Sequence, residues 1–313
     1  MNLELTAQRA GGPLRHDALF YLGDEDYVAG IRSFVEAGLA AGEPVLIAVP
    51  GARLDLLRAA FTQAELRFVD MARDGRNPAW IIPGVLHAFV AEHGGRRVRI
   101  VGEPIWPERS ATVYPRCVQH EALINIVLAD RPVSILCPYD AVRLGVDAIA
   151  DAASTHPFLI RDGDRQPSAG YGCPEEVVDA FNVPFPAPSP SAATLFFDAS
   201  GLSGMRAMVA ALATEAGLSA DRVEDLRIAT NEIATNAVVH SGRPAVVRVW
   251  PDEEGVVCEV TGTSVLTDRL AGRIPPAPAA DRGRGLFLAN YLCDLVQVHT
   301  DETSTTVRLH VYR

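Results

Sequence analysis

The chain has 313 residues, 48% hydrophobic and 21% charged, which describes an ordinary globular protein with room for two domains. Its formal net charge of −11 argues against a broad nucleic-acid footprint and against a polybasic patch for membrane binding. No apolar run is long enough to span a bilayer, the N-terminus lacks the apolar core of a secretion signal, and the five cysteines are scattered, so we expect a reduced, cytoplasmic protein.

The first half alternates short β-branched runs with helical patterns. Strands are predicted at Val45–Val49, Arg67–Met71, Val98–Pro104 and Val133–Asp140. Helices are predicted near Asp26–Ala41, Arg53–Ala64, Ala79–His93, Tyr114–Ala129 and Val146–Ala153. This alternation predicts an α/β domain with a mainly parallel sheet and helices on both faces. No Gly-Lys-Ser/Thr follows the first predicted strand, so P-loop catalysis is excluded.

Polar and aromatic residues follow the carboxyl ends of the predicted strands, where ligands of such sheets usually bind. They predict a sensory pocket for a small polar ligand, formed by Asp70, Glu103, Trp106, Arg109, Tyr139 and Asp140. The alternative is that the charged members cap loops and pair with one another, and that the tryptophan belongs to the core.

A second group in this half offers metal-binding side chains. Cys117 and His120 lie three apart on a predicted helix, and His16 and Cys137 could join them around a metal or haem. The more frequent role of such residues is packing, with cysteine as a small buried apolar side chain.

The stretches HDALFYLGDEDY, GRNP, GEPIWPERS, HEALIN, CPYD and THP resemble the MEDS sensory domain of bacterial regulators, over about His16–Leu159. The resemblance implies a RecA-like fold and a sensing role, and it names no ligand.

The segment Arg161–Ala193 has a different composition. Proline recurs at every second position from Pro184 to Pro190, which favours extended chain, and a short helix is expected at Glu175–Phe181. We therefore predict a sensory domain at 1–160, a linker at 161–193 and an output domain at 194–313.

A long helix from Asp221 to Gly242, with Ser219 as N-cap, is the central element of the output domain. Glu232 and Asn236 share a row beside its apolar stripe. A carboxylate and an amide one turn apart suit a general base and a Mg²⁺ ligand. The alternative is a set of polar residues on the solvated edge of the helix. His240, in the same row, is expected to shape the helix end.

The segment Asp281–Asp294 reads DRGRGLFLANYLCD and opens a second helix with two glycines. Glycines before a helix N-terminus let backbone N–H groups approach phosphate oxygens. Strands are predicted at Leu195–Ala199, Ala245–Trp250, Gly255–Val260, Leu295–Thr300 and Thr305–Tyr312. Together with a helix at Leu202–Ala216 they predict an α+β sandwich. The Pro-rich Thr263–Ala280 is a candidate nucleotide lid or a degenerate loop.

These motifs resemble those of the GHKL (Bergerat-fold) ATPase and kinase superfamily, and within it the bacterial anti-sigma-factor serine kinases, over about Leu195–Arg313. The resemblance implies that ATP and Mg²⁺ are cofactors, that Glu232 is the general base and that Asn236 is the Mg²⁺ ligand. The phosphate contacts would come from Gly283, Arg284 and Gly285, and Thr306 would lie near the adenine.

One position departs from the superfamily. Gly262 stands where an aspartate normally accepts a hydrogen bond from the adenine amino group. Glu259 cannot replace it, because residues an odd number apart in a strand point to opposite faces. Asp268, in the Thr263–Ala280 segment, is a poor candidate to replace the missing aspartate. Whether the chain is a kinase is therefore left open.

The resemblance implies a stress-response regulator of transcription that works by partner switching. It would bind an alternative sigma factor and phosphorylate a serine of a STAS-domain anti-anti-sigma factor under control of the sensory domain. The alternative is a pseudokinase that exchanges partners without ATP. Neither direct nucleic-acid binding nor membrane binding is expected, and the oligomeric state, a homodimer included, is left open.

Overall fold

The structure is a computed structural model that describes residues 14–276 and 283–313. Asp281 and Arg282 of the predicted phosphate-binding segment, residues 277–280 of the predicted lid and the side chain of His240 lie outside the described residues. The chain forms two compact units. The first is drawn from Met1–Asp74, Leu86–Arg109 and Glu121–Val177, and the second from Gly75–Val85, Ser110–His120 and Val178–Arg313. The predicted division at 160 and 193 stays a prediction.

The first unit contains a mainly parallel sheet, as predicted. In chain order the elements as far as α7, some of which belong to the second unit, are β1 Arg15–Tyr21, α1 Asp24–Ala40, β2 Val45–Val49, α2 Gly51–Ala60, β3 Leu66–Asp70, α3 Pro78–Trp80, a π-helix Ile81–His87, α4 Ala88–Glu92, β4 Val98–Gly102, α5 Tyr114–Val127, β5 Val133–Asp140, α6 Val146–Thr155, β6 Phe158–Arg161, β7 Asp164–Pro167 and α7 Pro174–Ala180. The strand order is β3-β2-β4-β5-β1-β6-β7. All neighbours are parallel except β6 and β7. Strands β2 and β5 are buried along their whole length, which is why their apolar runs were predictable.

Three strands of this sheet were not predicted. Near its start, strand β1 has two polar residues that are nevertheless buried, His16 and Asp17. Asp17 accepts hydrogen bonds from Arg165 Nε at 2.7 Å and Nη2 at 2.9 Å. Strand β7 lies within the predicted linker and is exposed at every position, so its sequence has no apolar alternation. It pairs with the short β6, whose residues are only partly buried. The sheet of the first unit therefore continues to Pro167.

The second unit contains a separate antiparallel sheet covered by helices, as predicted for an α+β sandwich. Its further elements are β8 Ala193–Phe197, a 3₁₀-helix Ala199–Gly201, α8 Leu202–Glu215, α9 Ala220–Ser241, β9 Ala245–Pro251, β10 Gly255–Gly262, α10 Gly285–Leu292, β11 Leu295–Thr300 and β12 Thr305–Tyr312. The strand order is β11-β12-β10-β9-β8. The core joins one face of β10, including Val256, Cys258 and Val260, to the apolar sides of α8 and α9. None of the helices in the described ranges has the length and apolar character that crossing a bilayer requires.

Candidate functional site

Helix α9 is held in place by its ends and by its core face. Ser219 Oγ accepts a hydrogen bond from the backbone N–H of Arg222 at 3.4 Å, and Gly242 ends the helix in the left-handed conformation with φ of 62°. Thr230 Oγ1 donates to Cys258 Sγ of β10 at 3.4 Å. Both helix ends were predicted within a residue or two. Because the ends and the core face are fixed, the side chains of Glu232 and Asn236 point to a defined side of the helix.

Helix α10 runs alongside α9 in the opposite direction. At its end, Arg222 Nη1 donates to the carbonyl of Leu292 at 2.9 Å. At its start, a Cβ added to Gly285 would lie 2.7 Å from Asn236 Nδ2 and 3.4 Å from Glu232 Oε2. Glycine is thus needed where the GRGL segment packs against the acid and the amide. The structure therefore brings together three of the residues that the sequence singled out.

A cavity of about 640 Å³ opens beside this contact, within the range of about 300–1,000 Å³ that small-molecule sites occupy. Its lining includes the polar or glycine positions Asn236, Gly262, Ser264, Asp268, Gly272, Gly283, Gly285 and Thr305. Apolar walls come from Ile233, Val260, Leu266, Leu286 and Val307, among others. An apolar slot with a polar end suits a planar base joined to a charged group. Glu232 is half-buried beside the cavity, and Arg284 is exposed as the N-cap residue of α10.

The predicted lid forms one wall of the cavity as far as Pro276, the last residue described before the gap. Thr305 Oγ1 accepts from the N–H of Leu266 at 2.9 Å, and Asn290 Nδ2 donates to the carbonyl of Gly272 at 3.0 Å. Asp268 lines the cavity while its Oδ1 accepts from the N–H of Leu270 at 2.9 Å. The described part of the segment is therefore an anchored wall.

Gly262 faces the cavity, and the reason for a glycine there is steric. A Cβ at this position would lie 2.8 Å from the Cβ of Ala237 on α9. The sequence shows only that a hydrogen-bond acceptor for adenine is missing at Gly262. The structure shows in addition that β10 approaches α9 closely at this position. Glu259 points to the opposite sheet face, as predicted, where its carboxylate pairs with Arg308 Nη2 at 2.7 Å and Arg248 Nη1 at 3.1 Å.

Thr306, the predicted adenine neighbour, is absent from the lining of the cavity, and its role stays a prediction. Thr306 lies opposite Thr261 in the β10–β12 pair, and their Oγ1 atoms are 3.0 Å apart, whereas Thr305 and Val307 line the cavity. Because side chains alternate along a strand, only one of two adjacent threonines can face the helices. The pairing of Gly262 with Thr305 shows that Thr305 is the threonine on the helix-covered face, but this pairing cannot be read from the sequence of either strand alone.

Two of the six predicted sensory residues lie near one arginine in the first unit. Glu103 is buried and accepts hydrogen bonds from the hydroxyls of Tyr27 at 2.9 Å and Tyr21 at 3.5 Å. Burial raises the pKa of Glu103 to about 8, against the opposing effects of Tyr27 and Arg53. Asp140 accepts from two backbone N–H groups and lies 3.6 Å from Arg53 Nη2. The sequence missed Arg53, which lies on α2, and both tyrosines.

Contacts are also described for the other four residues. The Arg109 guanidinium lies 4.3 Å from the centre of the Trp106 ring, and Asp70 Oδ1 accepts from the N–H of Ala72 at 2.9 Å. Tyr139 is adjacent to Asp140 in β5, so the two point to opposite sheet faces, and its ring lies 5.6 Å from that of His156. A common pocket formed by the six residues stays a prediction.

Comparison with family models finds two matches. Residues 15–157 match the MEDS model, described as the MEthanogen/methylotroph, DcmR Sensory domain. Residues 197–311 match the histidine kinase-like ATPase domain. The predicted resemblance of the two halves to the MEDS domain and to the GHKL superfamily is confirmed.

Among characterised proteins, the chain is similar to serine-protein kinases RsbW from Bacillus cereus (strain AH187) and Bacillus thuringiensis subsp. konkukian (strain 97-27). Each is 28% identical over 116 residues, which is 33% of this chain and 72% of the relative. A crystal structure of the RsbU and RsbW domains of a Mycobacterium tuberculosis protein aligns at 20% identity with a TM-score of 0.30. That alignment covers 40% of this chain and only 33% of the other, a likeness too weak to inform the fold.

Proposed function

We propose that the second unit binds Mg·ATP, phosphorylates a serine of a STAS-domain anti-anti-sigma factor and binds an alternative sigma factor. The observation that carries this proposal is the contact of Gly285 with Asn236 and Glu232 at the mouth of the cavity. The serine-protein kinases to which this region is similar support the same reaction class.

Each group has a role that its chemistry allows. ATP would supply the phosphoryl group, and Mg²⁺ would neutralise charge on the phosphates. Asn236 offers an amide oxygen, a hard ligand suited to Mg²⁺. The backbone N–H groups around Gly283 and Gly285, at the start of α10, would face the phosphates. Glu232 would accept the proton of the serine hydroxyl and orient its oxygen.

The adenine end depends on other residues. The base would lie between Ile233, Val260 and Val307, with its polar edge toward Thr305 and Asp268. No side chain at Gly262 can accept a hydrogen bond, so this end would contribute less affinity than the phosphate end.

The second candidate function is that of a pseudokinase, a module that binds its partners without ATP. The observation that favours it is the close approach of Gly262 to Ala237, which leaves little room for an acceptor from β10. In either case the first unit would act as the sensor and regulate the second, through a small ligand whose identity is unknown.

Radiolabelled ATP separates the two functions. The full chain is incubated with Mg·ATP and a cognate STAS protein, next to Glu232→Gln and the control Glu224→Gln, whose surface carboxylate pairs with Arg227 on the same helix. We expect labelled STAS protein with the parent and the control, at least a hundredfold less with Glu232→Gln, and unchanged sigma-factor binding in all three. No label with the parent, despite sigma-factor binding, would refute the kinase and leave the pseudokinase.

A further inference from the structure

A cluster of four metal-ligand side chains lies in the core of the first unit. His16 is on β1, Glu121 on α5, Cys137 on β5, and His156 follows α6. All four are buried, and one ligand atom from each lies within 4.8 Å of every other. Of the residues grouped in the sequence analysis, His16 and Cys137 belong to this cluster, whereas Cys117 and His120 are not part of it. Glu121 and His156 take their place.

The hydrogen bonds of His16 define which ring nitrogen carries the proton. The amide nitrogen of Asn125 donates to the carbonyl of Thr155 at 2.7 Å, so its Oδ1 is an acceptor. That oxygen lies 3.1 Å from His16 Nδ1, which must therefore donate. In the neutral ring Nε2 then carries a lone pair. Nε2 lies 3.0 Å from Glu121 Oε2 and 3.4 Å from Cys137 Sγ.

His156 is arranged in the same way. Its Nδ1 lies 2.8 Å from the carbonyl oxygen of Ala152, which can only accept, so Nδ1 is the donor. Its Nε2 points to Glu121 Oε2 at 3.4 Å and has no hydrogen-bond partner among the described residues. In both histidines the outer nitrogen is anchored to an oxygen and the inner nitrogen is presented to the cluster, as in histidines that bind metals.

Glu121 Oε2 accepts from the Cys137 thiol at 3.5 Å, and the lone pairs of two imidazole nitrogens face the same oxygen. A buried carboxylate that faces two lone pairs is electrostatically unfavourable unless a proton or a metal ion lies between them. A divalent ion removes the conflict. With Glu121 and the Cys137 thiolate each contributing one negative charge, the site would be neutral. In a tetrahedral site with bonds of about 2.0–2.3 Å, ligand atoms are roughly 3.4 Å apart. Four of the six pairs of ligand atoms, at 3.0, 3.4, 3.5 and 3.4 Å, are close to that spacing, and the other two lie within 4.8 Å.

We propose that His16, Glu121, Cys137 and His156 bind one divalent transition-metal ion in a closed, four-coordinate site. Two imidazoles, one thiolate and one carboxylate are a ligand set that suits zinc and not calcium or magnesium. Binding releases the thiol proton and joins two neighbouring strands to two helical segments. The bound ion therefore stabilises the first unit.

Cobalt(II) tests the site directly, because a cobalt–thiolate bond gives a near-ultraviolet charge-transfer band and a tetrahedral field gives strong visible bands. The full chain is stripped with a chelator and titrated with Co²⁺, next to Cys137→Ser and the control Cys117→Ser, a buried cysteine outside the cluster. We expect one Co²⁺ per chain with both bands in the parent and the control, displacement by Zn²⁺, and a higher melting temperature with metal. Cys137→Ser should lose the charge-transfer band and bind at least tenfold more weakly.

Three results would overturn the proposal. They are a parent that binds no stoichiometric metal, a Cys137→Ser variant that keeps the charge-transfer band, and a Cys117→Ser variant that loses it. X-ray absorption at the zinc edge of the zinc-loaded parent gives a second measurement that does not depend on how a variant folds. It should find one sulfur and three nitrogen or oxygen neighbours, and a shell without sulfur would be incompatible with the site.

Discussion

A methyl group at Gly285 is the smallest change that perturbs the candidate nucleotide site. In Gly285→Ala the new Cβ would lie 2.7 Å from Asn236 Nδ2, whereas ordinary contact begins at 3.4 Å, so the amide must retreat by about 0.7 Å (3.4 − 2.7). Misplacing a reacting or coordinating group by about 1 Å can cost roughly a hundredfold. We therefore expect the affinity for Mg·ATP to fall by about tenfold or more.

The effect on stability should be small by comparison. Alanine in place of glycine within a helix gains up to about 1 kcal/mol, and overpacking costs about 1–3 kcal/mol. The free energy of unfolding should thus fall by no more than about 3 kcal/mol. Gly204→Ala is the matched control, since Gly204 lies in helix α8, is exposed, and has no atom within 4 Å of an added Cβ.

Calorimetric titration with Mg·ATP and urea denaturation, applied to both variants, separate these effects. Gly204→Ala should bind nucleotide like the parent and be slightly more stable. If Gly285→Ala also bound with parental affinity while folding normally, Asn236 would not contact the bound nucleotide or its metal ion, and the proposed geometry would be wrong.

Three further changes test other parts of the structure. The pKa of Glu103, about 8 against an ordinary 4.5, is raised by burial, so its contribution to stability is complete below pH 4.5 and is lost as the pH rises to 8. Glu103→Gln should remove up to roughly 5 kcal/mol of that pH dependence, measured by urea denaturation across the range, and an unchanged slope would contradict the raised pKa. Gly262→Asp should destabilise the chain by about 1–3 kcal/mol through its contact with Ala237. Combined with Ala237→Gly, it should bind ATP more tightly than Ala237→Gly alone, and equal affinities would refute the alignment of Gly262 with the adenine-binding aspartate. Glu259→Gln should cost about 3–5 kcal/mol because it leaves the buried Arg308 without its charged partner, and a loss under about 1 kcal/mol would show that water screens the pair.

The sequence predicted elements best where burial imposed a regular pattern. The bounds of β2 and β5 were correct because both strands are mostly apolar and fully buried. Those of α9 were correct within a residue because Ser219 and Gly242 mark its ends. Strand β7 could not be found, since it is exposed throughout and its role is to pair with β6. Local pattern identifies an element only when the element packs one face against a core.

The site residues follow the same rule. The pairing of Glu232 with Asn236 lies within one helix turn and was readable. Which of Thr305 and Thr306 lines the cavity was not, because strand register depends on a distant partner. The cluster around Glu121 joins residues as distant in sequence as His16 and Cys137, which are 121 positions apart, so no local spacing reveals it.

The central claim is that the cavity beside Asn236 holds the phosphates of ATP across a magnesium ion. Titration calorimetry of the full chain with ATP, with and without Mg²⁺, tests it, using the variant Asn236→Ala. The control is Asn231→Ala: Asn231 lies on the same helix as Asn236, and its side chain accepts a hydrogen bond from Arg206 of α8 at 2.9 Å. We predict Mg²⁺-dependent binding by the parent and the control, and its loss in Asn236→Ala. Equal heats for the parent and Asn236→Ala, or no heat from the parent at millimolar ATP, would contradict it.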